Sequence, residues 1–546
     1  MGEAIGDYLI RRLREERADH VFGIPGDYVL SFFKKLEASP LALVNTCDEQ
    51  GAGFAADAYA RMRGLGVVCI TYAVGGLKVA NAVAQAFAER SPVVVISGAP
   101  GVRERRRNSL VHHRVRNFET QQKVFAQLTV GTAVLDDVET AAAEIDRVLA
   151  LARRHSRPVY IEIPRDMVTA ELAPARTYAL PADESDPDAL QIAVAEAAER
   201  IQAAARPVIL AGVELHRFGL QHVLAELAHA TGIPVAATIT GKSVFPESDP
   251  AYIGVYEGAM GRDSVRDYVE QSDCIVLLGA MLTDMNLGVY TAEIDHGSSV
   301  YAAKDRVSVG FRSYDGIRME DFICRLAARP WTKRTPPVFE HPEHPGPFTA
   351  GDRSITVAAL FRQLNAFLRD DMVVIADPGD ALFGATDLYI HHGTHFIAPA
   401  YYCSLGFAVP AAIGVAAARP HLRSLVLVGD GAFQMTGMEL STVVRYGMNP
   451  IVVVFDNDGY GTERPMLDGA FNDVHRWDYA RIPEVLGAGV GMKVTTELEM
   501  AAALERARAN TQSFTIIQVM LERTDRSPAL SRLTARLHER IVAKST

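Results

Sequence analysis

Two strand ends in the last third of the chain carry oxygen donors arranged to suit a cation. Gly429-Asp430-Gly431 directly follows the apolar run SLVLV, and a second run, IVVVF, ends in Asp456-Asn457-Asp458-Gly459-Tyr460. If those strands are neighbours, the Asp430 carboxylate, the Asn457 amide oxygen and the Gly459 carbonyl converge. They are hard donors suited to Mg²⁺, which keeps water and takes phosphate oxygens as further ligands. The turn opens a helix-period stretch, AFQMTGMELSTVVRYG, whose N-terminus would face the same phosphates. Alone, a GDG is more often only a tight turn.

A second group of residues could carry protons. His112-His113 stand side by side in SLVHHRVRN, and taken locally they read as a basic loop, a metal site or a pair of proton carriers. Adjacent side chains diverge and no Cys or His lies nearby at zinc-like spacing, so the metal reading is set aside. Asp27 lies in Pro25-Gly26-Asp27, itself a strong turn signal. Glu49 precedes a small-residue helix and reads alone as a solvated helix start, with Asp48 beside it. Glu463, next to Arg464, reads alone as half of a surface ion pair.

Buried strands and helices must position these groups. VVCITYAV, PVVVISG, PVYIEIP, PVILAG, CIVLLGA, MVVIAD, SLVLVGD, PIVVVFDN and TIIQVML read as strands covered on both faces. Helix-period stretches such as AAEIDRVLALARRH lie between them. The alternation predicts an α/β protein of doubly wound parallel sheets. Proline-bearing stretches at 178–189 and 329–354 divide the chain into 1–178, 190–330 and 350–546. The first and third blocks share a local plan: from Phe54 and again from Phe407, a small-residue helix, a turn, an apolar strand and then glycine.

A chain of 546 residues exceeds one core. The net charge of −11 argues against nucleic-acid or anionic-membrane partners. The first twenty residues lack an apolar signal core, and no run is long enough to span a bilayer. Five cysteines, mostly in apolar segments, read as buried free thiols in a reducing compartment. A soluble, cytoplasmic protein is expected.

A GDG followed at this distance by an asparagine resembles the thiamine-diphosphate signature. Over nearly its whole length the chain is similar to the thiamine-diphosphate-dependent 2-oxo acid decarboxylases, such as pyruvate, indolepyruvate and phenylpyruvate decarboxylases. The resemblance implies three domains: pyrimidine-binding (1–178), middle (190–330) and diphosphate-binding with a C-terminal closing helix (350–546). It implies thiamine diphosphate and Mg²⁺ held between the first domain of one subunit and the third of another, hence a homodimer or homotetramer. Asp430, Asn457 and Gly459 then take the metal, with Gly429, Gly431, Ala432 and Asp380 around the diphosphate and Leu405 wedged beneath the bent cofactor. Glu49 matches the glutamate that bonds the pyrimidine ring, favouring the tautomer that forms the nucleophilic ylide. Asp27, His112, His113 and Glu463 match groups that move protons after CO₂ is lost to leave the enamine, before aldehyde is released.

The implied reaction is non-oxidative decarboxylation of a 2-oxo acid, a small molecule, to an aldehyde and CO₂. Met285 and Tyr402 fall where pyruvate-specific relatives narrow the pocket with aromatic residues, and PAYYCSLGF looks most like the phenylpyruvate and indolepyruvate branch. An aromatic or long-chain substrate is expected, with pyruvate or branched-chain acids as the alternative. Leu530, Leu533, Leu537 and Ile541 share one face of the closing helix. Asp456 departs from the family's Asn-Asn pair. An acetolactate-synthase-like carboligase is the other enzymatic alternative. The His-His pair and Glu463 argue against it, as does the lack of G-x-G-x-x-G in 190–330.

Overall fold

The computed structural model describes residues 2–173, 183–337, 339, 348–391 and 395–545, with side chains through residue 536. The stretches 178–189 and 329–354 thus lie partly outside the described residues, as do the side chains of Leu537 and Ile541.

Each apolar run expected to be a strand is one. The first sheet contains β1 (His20–Gly23), β2 (Ala42–Asn45), β3 (Gly66–Ile70), β4 (Val93–Ala99), β5 (Thr132–Val134) and β6 (Val159–Pro164), in the order β2-β1-β3-β4-β6-β5. All its pairings are parallel. β3, β4 and β6 are buried at every position, as helices on both faces require.

The middle sheet contains β7 (Pro207–Ala211), β8 (Val235–Ala237), β9 (Tyr252–Val255), β10 (Cys274–Leu278), β11 (Val300–Ala303), β12 (Arg306–Val309) and β13 (Arg312–Asp315), ordered β13-β12-β11-β10-β7-β8-β9. Its parallel core matches expectation, but β11, β12 and β13 pair antiparallel. The reason is local. Lys304-Asp305 and Gly310-Phe311 join strands too closely for a crossover helix, so the chain can only reverse. Exposed polar residues of β13 suit an uncovered edge.

The third sheet contains β14 (Met372–Ala376), β15 (His395–Ile397), β16 (Arg423–Gly429), β17 (Ile451–Asp456), β18 (Val490–Val494) and β19 (Thr515–Met520). Its order, β15-β14-β16-β17-β19-β18, repeats that of the first sheet strand for strand, again all parallel. The shared local plan therefore extends to the topology of two whole domains. Their matching helices, Glu49–Arg63 and Ala408–Ala418, pack on each other. Phe54 meets Phe407 edge-to-face, with centroids 5.7 Å apart. A Cβ on Gly414 would strike the Ala55 carbonyl, so glycine is needed for this approach. One hydrophobic core runs through both domains.

Buried charges fasten the joints. Arg61 forks onto Asp57 through two 2.9 Å bonds, pairs with Glu89 at 3.0 Å and donates to the Ala398 carbonyl. Between the middle and third domains, Lys242 Nζ lies 2.7 Å from both Glu247 and the Leu388 carbonyl. Close by, Glu257 accepts from Thr386 at 2.9 Å, and its other oxygen is buried without a partner. Burial pushes the Glu257 carboxyl up to about 8, with Asp387 adding to the rise. The unfolded chain releases that proton in the ordinary glutamate range, whereas the folded chain keeps it. Stability from this group is therefore full at acid pH and is lost as pH rises through about 8. Glu257→Gln is expected to flatten the fall in melting temperature across that window, measured by thermal unfolding. An unchanged pH profile would show that Glu257 is not buried neutral.

Among the described residues, no helix is long and apolar enough to cross a membrane. All five cysteines are free; Cys69 and Cys274 are buried, whereas Cys47 and Cys324 are exposed, against the expectation that most are covered.

Candidate active site

A cleft of about 790 Å³ opens where the third sheet's strands end. Doubly wound sheets place ligands at this edge because successive crossovers diverge there. β16 and β17 are neighbours, with Gly429 opposite Phe455, so Asp430 and Asn457 emerge side by side. One Asp430 oxygen accepts from the Gly431 N–H at 2.7 Å and the other from the Gly459 N–H at 2.9 Å. The carboxylate thereby ties both strand ends together. Gly459 has φ +131°, and a Cβ there would meet the Asn472 carbonyl, so both conformation and space demand glycine.

Burial pushes the Asp430 carboxyl up to about 7, against the two N–H bonds, and Asp456 adds to the rise. A buried acid with only N–H partners on the protein side, beside an amide and a carbonyl, has the donor chemistry for a hard divalent ion. Asp456 itself is neutralised, by Arg476 at 3.1 Å, and accepts from Gln518 at 2.7 Å. The helix after the GDG turn is shorter than its periodicity suggests. It spans Asp430–Thr436, then breaks into a 3₁₀ turn at Gly437–Glu439.

Leu405, Met285, Leu530, Leu533, Gly429, Gly431 and Ala432 line the cleft, as does Glu463. Glu463 forms no ion pair with Arg464, which is buried and instead grips Asp468 and Asp473 at 2.8 Å each. Asp380 also lines the cleft. One of its oxygens accepts from Ser527 N at 2.8 Å, pinning the start of the C-terminal helix, and the other is buried without a partner. Burial holds its carboxyl at about 6.

Tyr402 does not line the cleft. Its N–H and that of Tyr401 are held by Glu89, turning its side chain toward Asn81, and Cys403 takes the wall position instead. Val289 and Phe383, unmarked by any sequence pattern, complete the apolar wall.

The remaining candidates lie on the first domain. Asp27 follows β1, Glu49 starts the helix after β2, and His112-His113 follow β4. Asp27 Oδ2 is 2.7 Å from His112 Nε2. The two imidazoles do not diverge: His113 has φ +66°, which brings the ring centroids to 4.6 Å. Tyr28, buried, stacks on His112 at 4.8 Å. Glu49 is mostly covered, with Lys78 Nζ 3.7 Å from its carboxylate. None of these four is among the residues lining the cleft. In one chain these candidates therefore stand as two separate groups, Asp27, Glu49, His112 and His113 on the first domain and the oxygen donors Asp430, Asn457 and Gly459 on the third.

Two positioning acids were missed by sequence reasoning. Glu439 accepts from Cys47 N and Asp48 N at 3.0–3.1 Å, fixing the turn that aims Glu49. Asp377, fully buried, accepts from Gly406 N and Ala408 N at 2.9 and 2.7 Å, fixing Leu405. An acid directly after the apolar strand MVVIA is the available signal for Asp377; Glu439 has none, since its partners lie in another domain.

Three stretches of the chain match family domains of known proteins. Residues 4–123 match the thiamine pyrophosphate enzyme N-terminal TPP binding domain, 194–309 the central domain and 379–519 the C-terminal TPP binding domain. The chain is 40% identical to an indole-3-pyruvate decarboxylase of Azospirillum brasilense, covering 98% of this chain and 99% of the relative. It is 33% identical to an alpha-keto-acid decarboxylase of Mycobacterium leprae, covering 97% and 95%. It is 32% identical to pyruvate decarboxylase 3 of Arabidopsis thaliana, covering 96% and 92%. With matches of this extent to all three domains, the chain belongs to the thiamine-diphosphate-dependent 2-oxo acid decarboxylase family.

Proposed function

We propose that this enzyme decarboxylates an aromatic or long-chain 2-oxo acid to an aldehyde, with Mg²⁺ as its metal and a second copy of the chain completing each site. The observation that carries this reading is the apolar cleft closed by Met285, Val289, Phe383, Leu530 and Leu533 with Glu463 at its rim. The indole-3-pyruvate decarboxylase relative supports an aromatic substrate. Bound thiamine diphosphate would supply the carbon nucleophile and the electron sink. Asp430, Asn457 and Gly459 would hold Mg²⁺; Gly429, Gly431, Ala432 and Asp380 would surround the diphosphate; Leu405 would support the cofactor from below; Glu49 would meet the pyrimidine. Flexible Met285 leaves room for a ring where a rigid aromatic would not.

Proton handling falls to the chain's own groups. After CO₂ leaves, one carbon must gain a proton and one hydroxyl must lose one. The 2.7 Å Asp27–His112 contact is a route by which a proton passes between Oδ2 and Nε2. Glu463 faces the cleft from the third domain. Because Asp27, Glu49 and the histidines stand outside that cleft, two chains packed so that each first domain covers the other's third would bring both halves together. A homodimer or homotetramer fits this arrangement, and the five free cysteines suit a reducing, cytoplasmic setting.

A panel of pyruvate, branched-chain, phenyl- and indolepyruvate, scored by CO₂ release with and without thiamine diphosphate and Mg²⁺, tests the assignment. The expected result is the highest kcat/KM on the aromatic acids and none without cofactor. A preference for pyruvate would overturn the substrate reading. Acetolactate as the main product would overturn the reaction.

A further inference from the structure

The first-domain half-site has a second chemical capacity. One ligand atom each of Asp27, His112 and His113 lies within 4.8 Å of the other two. The left-handed turn at His113 is what folds the second imidazole back toward the first. Tyr28 backs both rings, at 4.8 and 5.9 Å, and its hydroxyl oxygen is 3.5 Å from His112 Nδ1, so the ring is steadied from behind while Nε2 faces Asp27. His113 Nδ1 is buried with no hydrogen-bond partner. In the single chain Asp27 and His112 are about half exposed, and in the proposed assembly they open into the cleft that admits substrate, so an ion has an approach. Arg165 lies over the Tyr28 ring at 5.3 Å but is paired with Glu104, so its charge does not stand uncompensated against an incoming cation.

We propose that Asp27, His112 and His113 form a binding site for a borderline divalent cation of the Zn²⁺ class, separate from the hard oxygen set at Asp430, and that its occupation inhibits the enzyme. Two imidazoles and one carboxylate favour Zn²⁺, Co²⁺, Ni²⁺ or Cu²⁺ over Mg²⁺. Zn²⁺ bonds of roughly 2.0–2.1 Å in tetrahedral geometry need ligand atoms about 3.3 Å apart. The Asp27–His112 contact must open from 2.7 Å and His113 must close from within 4.8 Å, with water taking the fourth position. Binding requires neutral imidazoles and releases any proton they hold. The inhibitory half of the proposal rests on the proton-carrier reading of these residues; the binding half does not.

The test uses holoenzyme with thiamine diphosphate and Mg²⁺ in excess, so that the Asp430 set is filled. Co²⁺ is titrated while its visible absorption is recorded, and Zn²⁺ by calorimetry. One ion per chain is expected. Asp27→Asn and His113→Gln should each weaken binding more than roughly tenfold, since even outer-shell changes cost about that much. Circular dichroism establishes that both variants fold, and Asp27→Asn, on an exposed turn, serves should His113→Gln fail to. Zn²⁺ should also stop turnover, reversibly with a zinc-selective chelator. No binding, or equal binding by both variants, overturns the site. Binding that the variants lose, without inhibition, leaves the site standing but overturns the proton-carrier reading.

Discussion

Glu49→Gln will lower turnover by roughly 10²–10⁴-fold, the range that proton-transfer groups contribute, while leaving Mg²⁺ and diphosphate binding largely intact. The expectation follows from where Glu49 sits. It opens the helix Glu49–Arg63, capped by the Asp48 side chain on Gly51 N at 2.8 Å, and its preceding turn is gripped by Glu439. Glutamine keeps the shape and the helix start but not the carboxylate, so the fold and the oxygen-donor half on the other domain are untouched. Asp48 remains to pair with Lys78, at 3.2 Å, so the cation is not orphaned. Steady-state CO₂ release gives the rate and calorimetry the cofactor affinity. A variant with wild-type rates would remove Glu49 from the chemistry.

Asp430→Asn has the complementary effect: affinity for Mg²⁺ and thiamine diphosphate falls, by more than roughly 100-fold, since loss of a charged direct ligand exceeds the cost of outer-shell changes. Both Asp430 oxygens already accept backbone N–H groups, from Gly431 and Gly459. An amide must turn its NH₂ toward one of those donors, so the variant loses charge and also breaks either the Gly431 or the Gly459 contact. Removing the metal from wild-type enzyme with a chelator should reproduce the cofactor loss, and added Mg²⁺ should restore wild type but not the variant. Equilibrium dialysis of thiamine diphosphate at graded Mg²⁺ measures both. Wild-type retention of cofactor by Asp430→Asn would show that the metal is held elsewhere.

The two variants separate the half-sites by readout. Glu49→Gln is expected to act on the rate and Asp430→Asn on binding, as two sets of residues on different domains require.

Much of this was readable along the chain because it is local. A strand covered on both faces must be a short run of β-branched and aliphatic residues, so MVVIA, SLVLV and IVVVF announce themselves wherever they pack. A GDG at the end of one and an Asn-x-Gly at the end of another name the donors, because oxygen chemistry belongs to the residue. What the sequence by itself determined was the central buried strands, the α/β class, the oxygen-bearing residues at two strand ends and the family likeness. The tertiary structure alone decided the rest. The same strand order in the first and third sheets, the reversal of β11–β13, and the place of Cys403 rather than Tyr402 in the cleft wall depend on contacts between residues remote in the chain. So do the aim of Glu49 by Glu439 and of Leu405 by Asp377. His112-His113 shows the difference most plainly. Sequence can say that two imidazoles are adjacent, but only a backbone angle, φ +66° at His113, decides that their rings meet each other and Asp27. The turn packs against Tyr28, which stacks on His112 and meets His113 edge-on, and packing is a property of the whole fold.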